Sequence, residues 1–131
     1  MKKIVCISGS PRKDSNSLAI AQRVMDAAGE LGAESQTFRL FDIAFDDCIA
    51  CMGCKTGAEE CVHQDGLTPV LEAVREADIL ILASPIYFAQ VTGKLKCFLD
   101  RMYSFIKPNF HAIPDPSRLA PGKKCVMILT Q

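Results

Sequence analysis

Short runs of β-branched residues alternate along the chain with segments whose apolar side chains recur every three or four positions. Ile4–Ile7 and Ile79–Ala83 are nearly continuous apolar runs, typical of strands buried on both faces. The apolar stripe from Leu18 to Leu31 predicts a helix between them that ends at Gly32. Further strands are predicted at 36–40 and 125–129, and further helices at 68–77, with Thr68 as cap, and 95–105. This order predicts an α/β fold, a doubly wound parallel sheet with helices on both faces.

Length and charge exclude several classes of protein. The 131 residues predict one domain spanning 1–131, and 15 basic against 15 acidic side chains argue against nucleic-acid binding. Apolar runs such as Ile79–Ala83 are far shorter than the roughly 20 residues that span a bilayer. Met1-Lys2-Lys3 precedes too short an apolar run for a secretory signal, so seven cysteines indicate a reducing, cytoplasmic location.

The loop after the first strand is rich in polar groups that bind anions. In a doubly wound sheet such a loop leads into a helix N-terminus, where free amides and the helix dipole favour a phosphate. Gly9 alone cannot supply the dinucleotide fingerprint, and the P-loop motif is absent, so a terminal mononucleotide phosphate fits best. The alternative is an ordinary connection capped by Asn16 or Ser17. The predicted phosphate ligands are Ser8, Ser10, Arg12, Ser15, Asn16 and Ser17.

Four of the seven cysteines are closely spaced, with two, two and six residues between neighbours. Steps of three resemble the run that surrounds a cubane cluster in bacterial ferredoxins, whereas zinc sites commonly use two separated pairs. A [4Fe-4S] cluster, a zinc ion and a metal-free redox or structural loop all remain open. The candidate ligands are Cys48, Cys51, Cys54 and Cys61. The others are predicted to be small buried hydrophobes, namely Cys6, Cys97 and Cys125.

Two sequence signatures resemble the NADPH-dependent FMN reductase family. The first is Ile7–Arg12 followed by Ser15–Ser17, and the second is Ala83–Phe88 followed by Leu95–Arg101. The resemblance implies a flavodoxin-like fold, an oxidoreductase activity and FMN as cofactor. It also implies that the loop after the third strand lies along the isoalloxazine ring, although its aromatic residues could instead cover the core. The residues concerned are Pro85, Ile86, Tyr87 and Phe88.

The cysteine-rich insert at 45–64 is similar in spacing and position to that of the iron-sulfur flavoproteins, a subgroup of this family. The resemblance implies that residues 55–60 fold back so that Cys61 completes the cluster. His63 is predicted to be an exposed loop histidine, the alternative being that it donates a hydrogen bond to a cluster sulfur or acts as an unusual ligand. Nearby carboxylates would lower the potential of a cluster, namely Asp46, Asp47, Glu59 and Glu60.

The function predicted from these features is FMN-dependent electron transfer through an iron-sulfur cluster next to the flavin, with NAD(P)H or ferredoxin as electron donor. One alternative is an NAD(P)H-dependent FMN or quinone reductase without a cluster. The other is a non-enzymatic redox-sensing domain with a reversible cysteine pair. No residues suggest a catalytic triad or a buried carboxylate pair, so cofactors must carry the chemistry. The family resemblance implies a homodimer or homotetramer.

The family's usual sheet has five strands, whereas only four are predicted here. We therefore expect a flavodoxin-like sheet that lacks the last strand and its helices, short by roughly 45 to 60 residues. This would be explained by a truncated or partly recorded chain, or by an edge borrowed from a neighbouring molecule.

Overall fold

The computed structural model describes residues 1–131 and is built around one four-stranded parallel sheet. Its strands are β1 (Lys3–Ser8), β2 (Glu34–Arg39), β3 (Ile79–Pro85) and β4 (Lys124–Thr130). The spatial order is β2-β1-β3-β4, with β1 paired in parallel to both β2 and β3. The predicted parallel sheet and the count of four strands are both confirmed.

Helices cover both faces of the sheet. One face packs against α1 (Asn16–Glu30), whose Ala21 and Met25 join a buried cluster with Ile4, Cys6 and Ile81. The other face carries α2 (Thr68–Glu76) and α3 (Gly93–Arg101), and their buried residues form a larger cluster with β1 and β3. Complete burial of a large aliphatic or aromatic side chain stabilises the fold by about 1.5–3 kcal/mol. No helix is both long enough and apolar enough to cross a bilayer.

The helix ends differ in detail from their predicted positions. Ser15, not Asn16 or Ser17, caps α1, because its extended backbone lets Oγ accept a hydrogen bond from the Leu18 N–H at 3.1 Å. Leu67 occupies the cap position of α2, and Thr68 is its first helical residue. The predicted helix at 95–105 is regular only to Arg101 and continues as a 3-10 turn, Met102–Phe105.

The three isolated cysteines do not share one environment. Cys6 is fully buried in β1, and burial raises its pKa to about 11, which keeps the thiol protonated and inert. Cys97 is half-buried, whereas Cys125 is exposed, so the prediction of burial is wrong for Cys125. The reason is its position on β4, which pairs with β3 only and leaves Val126 and Met127 exposed as well.

The order of the strands places the predicted ligand-binding loops together. From β1 the chain passes to β2 on one side, and β3 then returns to pair on the other side of β1. The carboxyl ends of β1 and β3 therefore flank the switch point of the sheet, the place where the direction of winding reverses. Open α/β sheets bind their ligands there. The loop after Ser8 and the loop after Pro85 both start at this edge.

Candidate functional site

The loop between β1 and α1 presents unpaired amide groups at the start of a helix. The backbone N–H groups of Ser10, Asn16 and Ser17 donate to no acceptor within the protein. The first amides of a helix lack intrahelical partners and carry the positive end of its dipole. Arg12 is exposed and forms no ion pair, so its guanidinium is free to approach an anion. The loop therefore has the donors that a phosphate group requires.

Two serine hydroxyls in this region are buried without a hydrogen-bond partner. Ser8 and Ser17 are 0% and 1% exposed, and the Oγ atom of each is unpaired. Leaving a buried hydroxyl unpaired costs about 1–3 kcal/mol, so such atoms are rare unless a ligand satisfies them. Ser10 is also buried, but its Oγ already accepts from the Arg12 N–H at 3.2 Å. The two unpaired hydroxyls are compatible with a phosphate ligand at this loop.

A close approach at Gly9 joins this loop to β3 and α3. The Gly9 N–H donates to the carbonyl of Ala83 at 2.8 Å, and Thr92 Oγ1 donates to the carbonyl of Gly9 at 2.6 Å. The Thr92 N–H in turn donates to Ser84 Oγ at 3.2 Å. A Cβ atom at Gly9 would lie 2.8 Å from the Leu95 Cβ, which real contacts do not allow. Glycine is therefore required here for packing.

The loop after β3 holds its aromatic residues away from the core. Tyr87 and Gln90 exchange backbone hydrogen bonds at 2.8 and 3.1 Å, which closes a tight turn. Phe88 and Ala89 occupy its centre with φ of 48° and 64°. The Phe88 side chain is 105% exposed and that of Tyr87 is 47% exposed. These rings do not cover the core, so that alternative is wrong, and both are free to contact a flat ligand at the switch point.

The cysteine-rich insert gathers its four candidate ligands around one narrow cavity. Cys48, Cys51, Cys54 and Cys61 are all among its lining residues, and its volume is only about 20 Å³. Ala50 and Met52, on either side of Cys51, have left-handed φ of 55° and 61°, an arrangement costing roughly 1–2 kcal/mol per residue. Such strain is typical of functional loops. No three cysteine, histidine or carboxylate groups are placed to hold a single metal ion, which does not favour a mononuclear zinc site.

Arg101 is a buried cation beside this cavity. Its side chain is 1% exposed, and its Nε donates to Cys61 Sγ at 3.2 Å. Nη1 forms an ion pair with Asp65 at 2.8 Å. Burial alone would raise the pKa of Asp65, but hydrogen bonds from Arg101 and from the Leu67 and Asp46 N–H groups outweigh it and lower that pKa. Burial opposes the charge of Arg101, yet its bonds to Asp65 and Cys61 raise its pKa, so the pair stays ionised.

A second cation contacts a cysteine sulfur. Lys55 Nζ lies 3.3 Å from Cys54 Sγ and donates to the carbonyls of Tyr103 and Ile106 at 2.7 and 2.6 Å. The insert is also held by Arg118, which donates to the carbonyls of Cys54 and Ser104 at 2.9 and 2.8 Å. These bonds attach the insert to the turn that follows α3.

His63 does not occupy the exposed position predicted for it. It is half-buried and lines the cysteine cavity, and its Nε2 atom is enclosed without a hydrogen-bond partner. The backbone of the insert turns back under the Arg101 side chain, which accounts for the burial, since Nη2 of Arg101 donates to the His63 carbonyl at 3.1 Å. A buried imidazole nitrogen without a partner, in a residue that lines the same cavity as the four cysteines, is compatible with a bound group there.

The contact of Arg101 with the cysteine insert was not predicted, although the sequence contains an indication that Arg101 is buried. Leu95, Phe98 and Arg101 are the buried residues of α3 and follow one another at intervals of three. A charged residue that continues an apolar stripe must have buried partners. The partners lie in the insert, far away in the sequence, so only the tertiary structure identifies them.

A larger, mainly apolar cavity of about 760 Å³ is also lined by Cys48. It is bounded by the end of α3, the 3-10 turn and the segment 110–119. None of the residues after β1 or β3 that were predicted to bind FMN lines it. This cavity is therefore separate from the loops at the switch point.

Comparison with known proteins identifies related chains. The sequence profile described as NADPH-dependent FMN reductase matches residues 2–129. An iron-sulfur flavoprotein of Methanocaldococcus jannaschii is 36% identical over 99 residues, covering 76% of this chain and 51% of the relative. An iron-sulfur flavoprotein of Methanosarcina thermophila is 34% identical over 108 residues, covering 82% and 56%.

A solved structure agrees with these matches. An NADH:FMN oxidoreductase in its apo form superimposes with a TM-score of 0.60 at 27% identity, covering 81% of this chain and 54% of that one. The fold is flavodoxin-like, as predicted. The chain spans about half the length of the curated relatives that it matches. By its profile match and its relatives, the chain belongs to the NADPH-dependent FMN reductase family of oxidoreductases.

Proposed function

We propose that this protein is an FMN-dependent redox protein that transfers electrons through a [4Fe-4S] cluster next to the flavin. One observation carries the proposal: α3 touches both candidate sites. Thr92, its cap, bonds to Gly9 in the loop after β1, and Arg101, its last residue, bonds to Cys61. At 1.5 Å per residue these contacts are only about 14 Å apart along the helix axis. Residues 1–131 would act as a single domain carrying the insert at 45–64.

The loops at the switch point would hold FMN. Exposed Tyr87 and Phe88 offer an apolar surface to the isoalloxazine ring, which accepts or donates one or two electrons. The orphaned hydroxyls of Ser8 and Ser17, with the free amides, would bind the phosphate. The proposed phosphate ligands are Ser8, Ser10, Arg12, Ser15, Asn16 and Ser17. The proposed ring contacts are Pro85, Ile86, Tyr87 and Phe88.

The insert would hold the cluster. Support comes from the cavity that all four cysteines line and from the two relatives named as iron-sulfur flavoproteins. An iron-sulfur cluster exchanges one electron at a time, so beside FMN it converts two-electron into one-electron transfer. The proposed ligands are Cys48, Cys51, Cys54 and Cys61.

Donor, assembly and location are inferred from the family. NAD(P)H or ferredoxin would supply electrons, and the protein would form a homodimer or homotetramer. Seven free thiols favour a reducing cytoplasm. Neither a nucleic acid nor a membrane is a proposed partner, given the balanced charge.

The test combines anaerobic purification, iron and sulfide analysis, and titration with FMN. We expect about four irons and four sulfides per chain, together with stoichiometric FMN binding. Serine substitution of Cys48, Cys51, Cys54 or Cys61, one at a time, should remove iron. The matched control, Cys97→Ser, changes a half-buried cysteine of α3 outside the insert and should keep full iron content. Failure to bind FMN would refute the proposal.

A second candidate is an NAD(P)H-dependent FMN or quinone reductase without a cluster. The specific observation in its favour is the small volume of the cavity lined by the four cysteines, about 20 Å³, together with the similarity to an NADH:FMN oxidoreductase. This candidate would be established if iron-free protein binds FMN and if NADH or NADPH bleaches the visible absorbance of the bound flavin.

A further inference from the structure

Arg101 is the one cation that is both fully buried and bonded to a candidate cluster ligand. We propose that Arg101 is a positioning residue that holds the Cys61 sulfur in place and raises the reduction potential of the cluster. The inference rests on the proposed function, because it concerns the cluster that the four cysteines would hold. It adds a role to a residue that is not itself a ligand.

The positioning role follows from how Arg101 spans the insert. Its guanidinium donates to the carbonyl of Asp46 at 2.8 Å, before the first cysteine, and to the carbonyl of His63 at 3.1 Å, after the last. Its bond to Cys61 Sγ is made at the same time. One rigid side chain thus closes the two ends of the cysteine loop against α3. Cys61 is the candidate ligand separated by six residues from its neighbour, so its position depends most on the hydrogen bonds of Arg101.

The effect on potential follows from the charge and its surroundings. Reduction of the cluster adds one electron, forms or breaks no bond and takes up no proton, so negative charge on the ligand sulfurs increases. A hydrogen bond from a cationic donor becomes stronger as its acceptor becomes more negative. The bond from Arg101 therefore stabilises the reduced state of the cluster. Arg101 acts through a buried contact, whereas Asp46, Asp47, Glu59 and Glu60 are exposed and screened by water and salt.

Asp65 tunes this effect in the opposite direction. Its carboxylate lies 2.8 Å from Nη1 and compensates part of the guanidinium charge, but it makes no bond to a sulfur. Removing the carboxylate charge should therefore raise the potential, whereas removing the guanidinium should lower it. A purely structural role of the ion pair would give both substitutions the same effect, since each breaks the pair.

The test is a redox titration of the cluster monitored by electron paramagnetic resonance, in wild type, Arg101→Met, Arg101→Lys and Asp65→Asn. Loss of a hydrogen bond from a charged donor is expected to reduce the equilibrium constant for reduction about tenfold in Arg101→Met, which is 59 mV for a one-electron couple. Arg101→Lys should restore part of the difference. Asp65→Asn should shift the potential upward.

The matched control is Arg118→Gln. Arg118 also ties the insert to the segment after α3, but only through carbonyl groups, and it bonds to no sulfur. Arg118→Gln should shift the reduction potential by only a small fraction of the shift caused by Arg101→Met. An equal shift in both variants would overturn the inference.

The outcomes separate this inference from the proposed function. Wild-type protein without iron would overturn both. Wild-type protein that carries the cluster, with Arg101→Met at the wild-type potential, would overturn this inference alone. If Arg101→Met does not retain iron, Asp65→Asn decides the matter, because an unchanged or lowered potential there contradicts the sign derived above.

Discussion

Thr92 Oγ1 donates a hydrogen bond of 2.6 Å to the carbonyl oxygen of Gly9, across 83 positions of the sequence. The same hydroxyl oxygen accepts from the Leu95 N–H at 3.3 Å and so caps α3. One buried side chain thereby fixes the loop after β1 relative to the helix that leads to Cys61. The geometry of the proposed phosphate site is thus set by residues on α3 as well as by the loop itself.

Gly9→Ala is expected to destabilise the protein by about 1–3 kcal/mol, the usual cost of overpacking. The added methyl group would lie 2.8 Å from Leu95 Cβ and 3.0 Å from Thr92 Oγ1. Urea unfolding measures the loss. The control is Gly29→Ala, where nothing lies within 4 Å and α1 should gain roughly 0.5–1 kcal/mol. A neutral Gly9→Ala would show that this contact relaxes easily.

Ser17→Ala and Ser15→Ala should differ in their effect on the stability of the FMN-free protein. Ser17 Oγ is buried and unpaired, so its removal should not destabilise the protein without FMN, yet it should weaken FMN binding about tenfold or more. Ser15 Oγ caps α1, so its removal should cost about 1 kcal/mol. Unfolding without FMN and fluorescence titration with FMN separate the two. Unchanged FMN affinity in Ser17→Ala would remove Ser17 from the phosphate site.

Phe88→Ala should leave stability unchanged while lowering affinity for FMN. The ring is fully exposed, and exposed substitutions away from special contacts stay within about 0.5 kcal/mol. Its neighbours in the turn would remain hydrogen-bonded, since the bonds at Tyr87 and Gln90 are made by the backbone. Thermal unfolding and FMN titration are the two measurements. Unchanged affinity for FMN in Phe88→Ala would exclude Phe88 from the proposed ring contacts.

The ion pair of Asp65 predicts a pH dependence of stability. Hydrogen bonds hold the pKa of Asp65 below its unfolded value, about 3.9, despite the opposing effect of burial. The stabilisation is therefore fully present above the unfolded pKa and is lost as pH falls through the lower, folded pKa. Urea unfolding of the metal-free protein between pH 6 and about 2.5 should show wild type losing its advantage over Asp65→Asn. Parallel curves for the two proteins would contradict the lowered pKa.

Local patterns determined much of the fold. The apolar runs predicted all four strands to within about two residues, and the apolar stripes located all three α-helices. Helix ends were less predictable, because Ser15 was chosen as cap over its neighbours by the backbone angle at the end of the loop. The predicted burial of Cys125 was wrong for a related reason. Burial of a strand depends on what lies beside it in the sheet, and β4 has only one neighbouring strand.

For the candidate site, local sequence patterns were enough to identify the residue types available: polar groups after β1, aromatic residues after β3 and four closely spaced cysteines. Short-range spacing is enough for this because each group lies within one loop. The burial of Ser8 and Ser17 without partners, and the contact of Arg101 with Cys61, depend on how the folded elements pack and could not be predicted from these patterns. The bond between Arg101 and Cys61 arises from packing α3 against the insert, 40 positions away in the chain, and no local pattern encodes that contact.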